Sequence, residues 1–248
     1  MARINGINTG EAVTKPLYNA VTLVTGGSRG IGRAIALCLA EMGAAVAICG
    51  RDASALAATA AAIVAKGARV YSQVADVTRP EAILELVENT QRALGPISIL
   101  VNNAGIGLFG PAHEKSEADW DHVFNTNLKS VFLVSKAVIP AMIQGGGGDI
   151  INISSLAGKN TFAGGGIYCA SKWGLQGLTG CMAEDLRDHG IRVSVVCPGS
   201  VATEFSSKAK DPAKALSAED VAHAVAMLAT QGSNSFISEV QMRPMRKG

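Results

Sequence analysis

Tyr168 and Lys172 stand four residues apart in the run Tyr168-Cys169-Ala170-Ser171-Lys172, a spacing that on a helix sets both side chains on one face, a turn apart. A free phenol titrates near 10 and moves protons poorly at neutral pH. An ammonium about 4–5 Å away, at an effective dielectric of about 20, would favour the phenolate by roughly 4 kcal/mol and bring the phenol near 7. A group poised there suits general acid–base work. Ser155, thirteen positions earlier, offers a hydroxyl that can donate to the same substrate oxygen if the chain folds back. The same pair also arises as a surface lysine beside a half-buried tyrosine, so its meaning depends on what surrounds it.

What surrounds it is a chain of alternating strands and helices. Residues 20–25 form a short β-branched run, followed by Thr25-Gly26-Gly27-Ser28-Arg29-Gly30-Ile31-Gly32 and a helical pattern that stops at Gly43. A glycine-rich turn from strand to helix lets backbone N–H groups approach a pyrophosphate at the helix N-terminus. The spacing here is G-x-x-x-G-x-G, and a tight turn without a ligand is the plainer alternative. A second strand, 45–49, is followed by Gly50-Arg51-Asp52. An acid about 20 residues past the glycines would hold a ribose 2′-OH, but the strand-end slot holds Gly50, with Arg51 next. Arg51 and Arg29 can bracket a 2′-phosphate, which favours NADP(H) over NAD(H), and Asp52 falls at the start of the next helix.

Further along, 53–66 reads as a helix, 69–74 as a strand closed by Asp76-Val77, and Thr78-Arg79-Pro80-Glu81 as a capping box opening a helix to about Ala93. A fourth strand, 97–101, leads into Asn102-Asn103-Ala104-Gly105, small residues at the sheet edge where ligands bind. A long helix, 116–143, starts at a Ser116–Asp119 capping box and carries Asn127, whose amide needs a specific partner. The fifth strand, 149–153, ends at Ser154-Ser155, and the Tyr168 helix runs to about Asp188. The small residues Ala170, Gly174, Gly177 and Gly180 on that helix permit close approach of another helix. Strand 191–196, the stretch 197–203, a polar flap at about 204–216, a helix capped at Ser217 and a last strand, 236–242, complete the chain. The pattern predicts an α/β fold, a doubly wound, mostly parallel, Rossmann-like sheet in one domain (20–248) behind an irregular extension, 1–19. The pocket is expected to be lined by 106–109, Leu156, 162–165 and the flap.

The totals agree with this outline. With 48% apolar and 17% charged residues and 28 glycines, the 248-residue chain has the composition of a compact α/β protein. A formal net charge of +2 and the absence of any basic run argue against nucleic acid or anionic membrane as a partner. No apolar stretch approaches the ~18 residues of a membrane span, and no signal-peptide pattern opens the chain. The cysteines number five, an odd count, with no C-x-x-C pair, so reduced thiols, a cytoplasmic location and no metal site are expected.

Together these stretches closely resemble the short-chain dehydrogenase/reductase family in its form of about 250 residues. The resemblance rests on TGGSRGIG at 25–32, DV at 76–77, NNAG at 102–105, NL at 127–128, SS at 154–155, YCASK at 168–172 and PGSVAT at 198–203, seven stretches in order. Within the family the chain looks most like the 3-oxoacyl-[acyl-carrier-protein] reductases of fatty acid biosynthesis. The resemblance implies that Tyr168 is the general acid, that Ser155 polarises the carbonyl, and that Lys172 lowers the Tyr168 pKa and binds the nicotinamide ribose. It implies that Asn127 positions a water in a proton relay behind Lys172. Gly26, Gly30 and Gly32 would form the phosphate turn, and Ser28, Arg29 and Ile31 would line the phosphates and adenosine. Asp76 and Val77 would meet the adenine, and Asn103, Ala104 and Gly105 the ribose and nearby backbone. Pro198 and Gly199 belong to the same cofactor-binding stretch, and Val201 and Thr203 would meet the carboxamide. A homotetramer or homodimer, with acyl carrier protein as a possible partner, is the family expectation. An NADPH-dependent reductase of a ketone or 3-oxoacyl group leads. An NAD(P)-dependent secondary alcohol dehydrogenase and a non-catalytic nucleotide-binding protein stand behind it.

Overall fold

Runs such as Val21–Thr25 and Ala45–Gly50 are apolar at most positions, a pattern that requires cover on both faces of a strand. The computed structural model, which describes residues 15–205 and 214–246, supplies that cover. Seven parallel strands form one sheet: β1 (Val21–Thr25), β2 (Ala45–Gly50), β3 (Val70–Val74), β4 (Ile99–Asn102), β5 (Gly148–Ile153), β6 (Ile191–Pro198) and β7 (Glu239–Met242). Their order is β3-β2-β1-β4-β5-β6-β7. The direction of winding reverses between β1 and β4, and such a reversal opens a crevice outside the carboxyl ends of the strands.

Successive strand residues point to opposite faces, so β1 feeds two cores. Val24 joins Ile35 and Leu39 of α1 (Gly30–Glu41), Leu56 and Ile63 of α2 (Ala53–Ala65), and Val225 and Leu228 of α7 (Ala218–Ala229). Leu23 joins Ile83 and Leu86 of α3 (Pro80–Leu94), Val138 and Met142 of α5 (Ser130–Gln144), and Leu186 of α6 (Gly166–Leu186). Each fully buried Leu or Ile contributes about 1.5–3 kcal/mol relative to exposure. Beneath the crevice runs a buried polar ladder. Asn102 Nδ2 donates to Asn152 Oδ1 at 2.9 Å and to Ser135 Oγ at 3.1 Å, and Asn152 Nδ2 donates to Thr179 Oγ1 at 2.9 Å.

The expected single-domain doubly wound fold is found, and several local expectations are corrected. The capping box at Thr78 does not form: α3 starts after Arg79 with no side-chain cap. Thr78 instead gives its N–H and hydroxyl to Asp76 Oδ1, at 2.9 and 2.8 Å. The boxes at Ser116–Asp119 and Ser217–Asp220 do form. The long helix is not uniform: α4 (Glu117–Phe124) passes through a wider π-turn, Asn125–Lys129, before α5. This joined helix, Glu117–Gln144, is long and apolar enough by composition to cross a membrane, but Val131, Val134, Val138 and Met142 bury its apolar side in the protein. The last strand begins at Glu239 rather than 236, because Ile237 N–H bonds Gln231 Oε1 and Phe236 lies under Arg187.

Residues 1–14 of the expected extension lie outside the described residues; beyond them Lys15–Tyr18 makes a turn with Leu17 buried and bonded to the Met42 carbonyl. Most of the expected flap, 206–213, also lies outside them. Its far end is described: Leu216 pairs with Ser200 and Ala202 beside Val201.

Candidate active site

The glycine turn is fixed by steric necessity. A Cβ on Gly32 would lie 2.2 Å from the Gly26 carbonyl oxygen, and Gly26 itself has φ +65°. Only glycine allows this approach of backbone to backbone. Asn103 clamps the turn: its Nδ2 donates to the carbonyls of Thr25 and Gly26 at 3.0 and 3.1 Å. Thr25 Oγ1 in turn accepts the N–H groups of Asn103 and Ala104. Both Nδ2 hydrogens of Asn103 are thus used in bracing the turn. Arg29, the N-cap of α1, makes no side-chain cap, so the first N–H groups of that helix are left for a ligand.

At the carboxyl ends of the strands lies a crevice of about 920 Å³. Its wall holds Gly26, Ser28, Arg29, Gly30, Ile31, Gly32, Arg51, Asp76, Val77, Asn103, Ala104 and Gly105 from the first half of the chain. From the second half come Ser155, Tyr168, Lys172, Pro198, Gly199, Val201 and Thr203. Asn127 is the one expected site residue set behind the wall. Its Oδ1 accepts from Ile106 N–H at 2.8 Å, and its Nδ2 donates to the Ile106 carbonyl at 2.9 Å and to Ser171 Oγ at 3.1 Å. The side chain has no donor left, so its visible work is to hold the 103–106 loop against α6.

The pocket expectation is met at Ile106, Phe109, Leu156 and Phe162, and Phe205 supplies the described part of the flap. Gly165 falls instead in a small groove with Cys169 and Trp173. On the side of the crevice formed by the ends of β2 and β3, Arg51 stands exposed beside Asp76. Burial raises the Asp76 pKa, but hydrogen bonds from Thr78 and the Arg51 charge outweigh it and hold the carboxyl below its usual range. Asp52 caps α2 through Ser54 and Ala55 N–H, both at 3.1 Å, as expected. Arg29 pairs with Glu204 at 3.2 Å, a contact no motif or spacing announced. Gln176 was also missed: it donates to Ser154 Oγ at 2.9 Å and Cys197 Sγ at 3.1 Å.

On the floor of the crevice, Tyr168 and Lys172 share one face of α6 as expected, with Nζ 5.9 Å from the ring centroid. The expected phenol near 7 is not found. Burial pushes the Tyr168 phenol up to about 12, partly opposed by a hydrogen bond from Ser155. Burial also pulls the Lys172 ammonium down to about 8. Loss of solvent dominates both shifts because both side chains are almost fully enclosed. A phenol so raised stays protonated through the neutral range, the state required of a proton donor.

A parallel sheet whose winding reversal opens on a glycine-built phosphate cradle defines a Rossmann-like dinucleotide-binding protein. The family model described as short chain dehydrogenase matches residues 20–214, and the chain belongs to that family of oxidoreductases. It is 40% identical over 192 residues to gluconate 5-dehydrogenase of Gluconobacter oxydans, covering 77% of this chain and 75% of that one. It is 40% identical over 237 residues to (3R)-3-hydroxyacyl-CoA dehydrogenase of Mus musculus, covering 88% and 92%. The crystal structure of a metagenomic short-chain oxidoreductase in complex with NADP matches with a TM-score of 0.83 and 46% identity, over 93% of this chain and 100% of that one.

Proposed function

We propose that the protein is an NADPH-dependent reductase that converts a ketone or 3-oxoacyl group to a secondary alcohol. The observation that carries this reading is the convergence of Ser155, Tyr168 and Lys172 in one crevice with the glycine turn, Arg29 and Arg51. The residues fit a dinucleotide phosphate: Gly26 and Gly32 keep the cradle open, α1 offers free N–H groups, and two guanidiniums suit a 2′-phosphate. When bound, the reduced nicotinamide supplies the hydride. Ser155 holds the substrate carbonyl oxygen, Tyr168 gives its proton to that oxygen, and the Lys172 charge stabilises the phenolate that remains. The solved NADP complex supports the choice of cofactor, and the hydroxyacyl-CoA relative supports a 3-oxoacyl substrate. Acyl carrier protein as the carrier, and a place in fatty acid biosynthesis, are readings of the same kind. A screen of NADPH oxidation against a carbonyl panel that includes an acetoacetyl thioester tests the proposal; silence across the panel would refute it.

Run in reverse, the same groups would oxidise a secondary alcohol; that direction needs the Tyr168 phenolate, so alkaline pH favours it, and the two relatives named as dehydrogenases favour testing it. A homodimer or homotetramer is part of the proposal, supported by exposed Trp120, Phe132 and Trp173 on α4–α6 and by open space at Gly177 and Gly180. Light scattering at micromolar concentration reads it directly. The five free cysteines support a reducing, cytoplasmic setting.

A further inference from the structure

Beyond Ser155 and Tyr168 the crevice is walled by aromatic rings from three separate segments: Phe109 after β4, Phe162 before α6 and Phe205 after β6. Phe109 meets Tyr168 edge-on, with centroids 5.4 Å apart and planes at 66°. Phe205 is 6.0 Å from Tyr168 at 49°, and Phe162 is 6.1 Å from Phe109 at 43°. No two of these rings stack flat, so faces and edges both remain open to a further ring. Their exposures of 41%, 48% and 48% for Phe109, Phe162 and Phe205 are high for rings lining a concave site. Apolar surface held open beside reactive hydroxyls is surface for a ligand to cover.

The rest of this end is Ile106, Leu156, Asn160 and Thr161, and the Asn160 amide is already given to the Leu156 carbonyl. Among the described residues, the charged lining residues other than Lys172 are Arg29, Arg51, Asp52, Asp76 and Glu204, and the Glu204 carboxylate is turned onto Arg29. A saturated chain would gain contact area alone, whereas an aromatic ring also gains edge-to-face contacts.

We propose, resting on the reductase reading above, that the substrate is an aryl ketone, its ring held among Phe109, Phe162 and Phe205 and its carbonyl oxygen on Ser155 and Tyr168. The reaction adds two electrons and a hydrogen to the carbonyl carbon as hydride from the reduced dinucleotide, and a proton from Tyr168 to the oxygen; the ring is unchanged. The three phenylalanines are then specificity-determining residues.

The test compares kcat/KM for acetophenone, cyclohexyl methyl ketone of similar size, and acetoacetyl-CoA. Acetophenone should be preferred over the cyclohexyl ketone by about tenfold. Each of Phe109→Leu, Phe162→Leu and Phe205→Leu keeps apolar bulk but removes a ring, and each should lower that ratio by about two- to tenfold. The proposal is overturned if the cyclohexyl ketone is reduced equally well, if acetoacetyl-CoA exceeds both, or if the ratio survives all three substitutions. Each of those outcomes leaves the reductase reading standing. Turnover of no carbonyl compound with either cofactor would overturn both.

Discussion

Lys172 Nζ donates to the Ile153 carbonyl oxygen at 2.9 Å, so the charge beneath Tyr168 is also the strut that holds α6 to the end of β5. The strut is a costly one. Burial pulls this ammonium from 10.5 to about 8, which corresponds to roughly 3 kcal/mol against the folded state at neutral pH. Between about pH 8 and 10.5 the unfolded chain binds up to one more proton than the native one, so this group makes stability rise with pH through that window, and its penalty is complete and constant below about 8. Lys172→Met should raise neutral stability by roughly 2 kcal/mol, after about 1 kcal/mol is lost with the Ile153 hydrogen bond, and should flatten the slope. Urea midpoints between pH 7 and 9.5 measure both; an unchanged slope would show that the ammonium is not the source.

Tyr168→Phe removes the proton donor and little else, since the ring keeps its place against Phe109 and Phe205. Turnover should fall by about 10²–10⁴-fold while cofactor affinity, read by titration of NADPH fluorescence, is retained. Comparable rates in the variant would remove the acid role from this residue.

Arg51 has no ion pair among the described residues, whereas Arg29 stands 3.2 Å from Glu204 in a pair with side chains 66% and 72% exposed. Arg51→Asp should shift the NADPH/NADH ratio of kcat/KM toward NADH by about 10–100-fold, the worth of a hydrogen bond to a charged group. The Arg29–Glu204 pair is exposed and weak, so Glu204→Gln should free Arg29 for the phosphate with no measurable loss of stability and a modest gain for NADPH. A constant cofactor ratio in the Arg51 variant would falsify the choice of NADP(H).

Arg192 and Asp149 are registered partners on β6 and β5, joined by two bonds of 2.7 and 2.9 Å with side chains mostly withdrawn from water. Burial raises the Asp149 pKa, and the Arg192 charge is what opposes it. Arg192→Leu should cost about 3 kcal/mol by stranding the carboxylate, whereas the double change Asp149→Leu, Arg192→Leu should be close to neutral. A double-mutant cycle in urea distinguishes these, and equal losses in the two variants would contradict the account.

How far the sequence could be read follows from where each constraint resides. The turn at 25–32 is legible because Gly26 and Gly32 are set by backbone contact, and such a contact admits one residue type. Strands β1 and β2 are legible because burial on both faces leaves them apolar at most positions, whereas β5 carries Asp149 and Asn152 among its isoleucines. The π-turn at Asn125–Lys129 is not, because a change of hydrogen-bond register leaves no mark in residue type. Thr78 shows the limit of spacing rules: a competing acceptor two residues back, Asp76, takes its hydroxyl. The Tyr168–Lys172 spacing was read correctly, but the proton affinities were not, since they depend on how tightly distant segments enclose the pair.

The ladder of Asn102, Asn152 and Thr179 has a bearing on how the sheet assembles. Asn102 and Asn152 face each other in the parallel pairing of β4 and β5. Were β5 to dock one residue out of step, Asn152 would turn to the apolar face that Ile151 and Ile153 occupy, and Asn102 would lose its 2.9 Å partner. A shifted pairing is thereby disfavoured at the strand pair that leads to Ser155, so the two amides also fix where that hydroxyl stands.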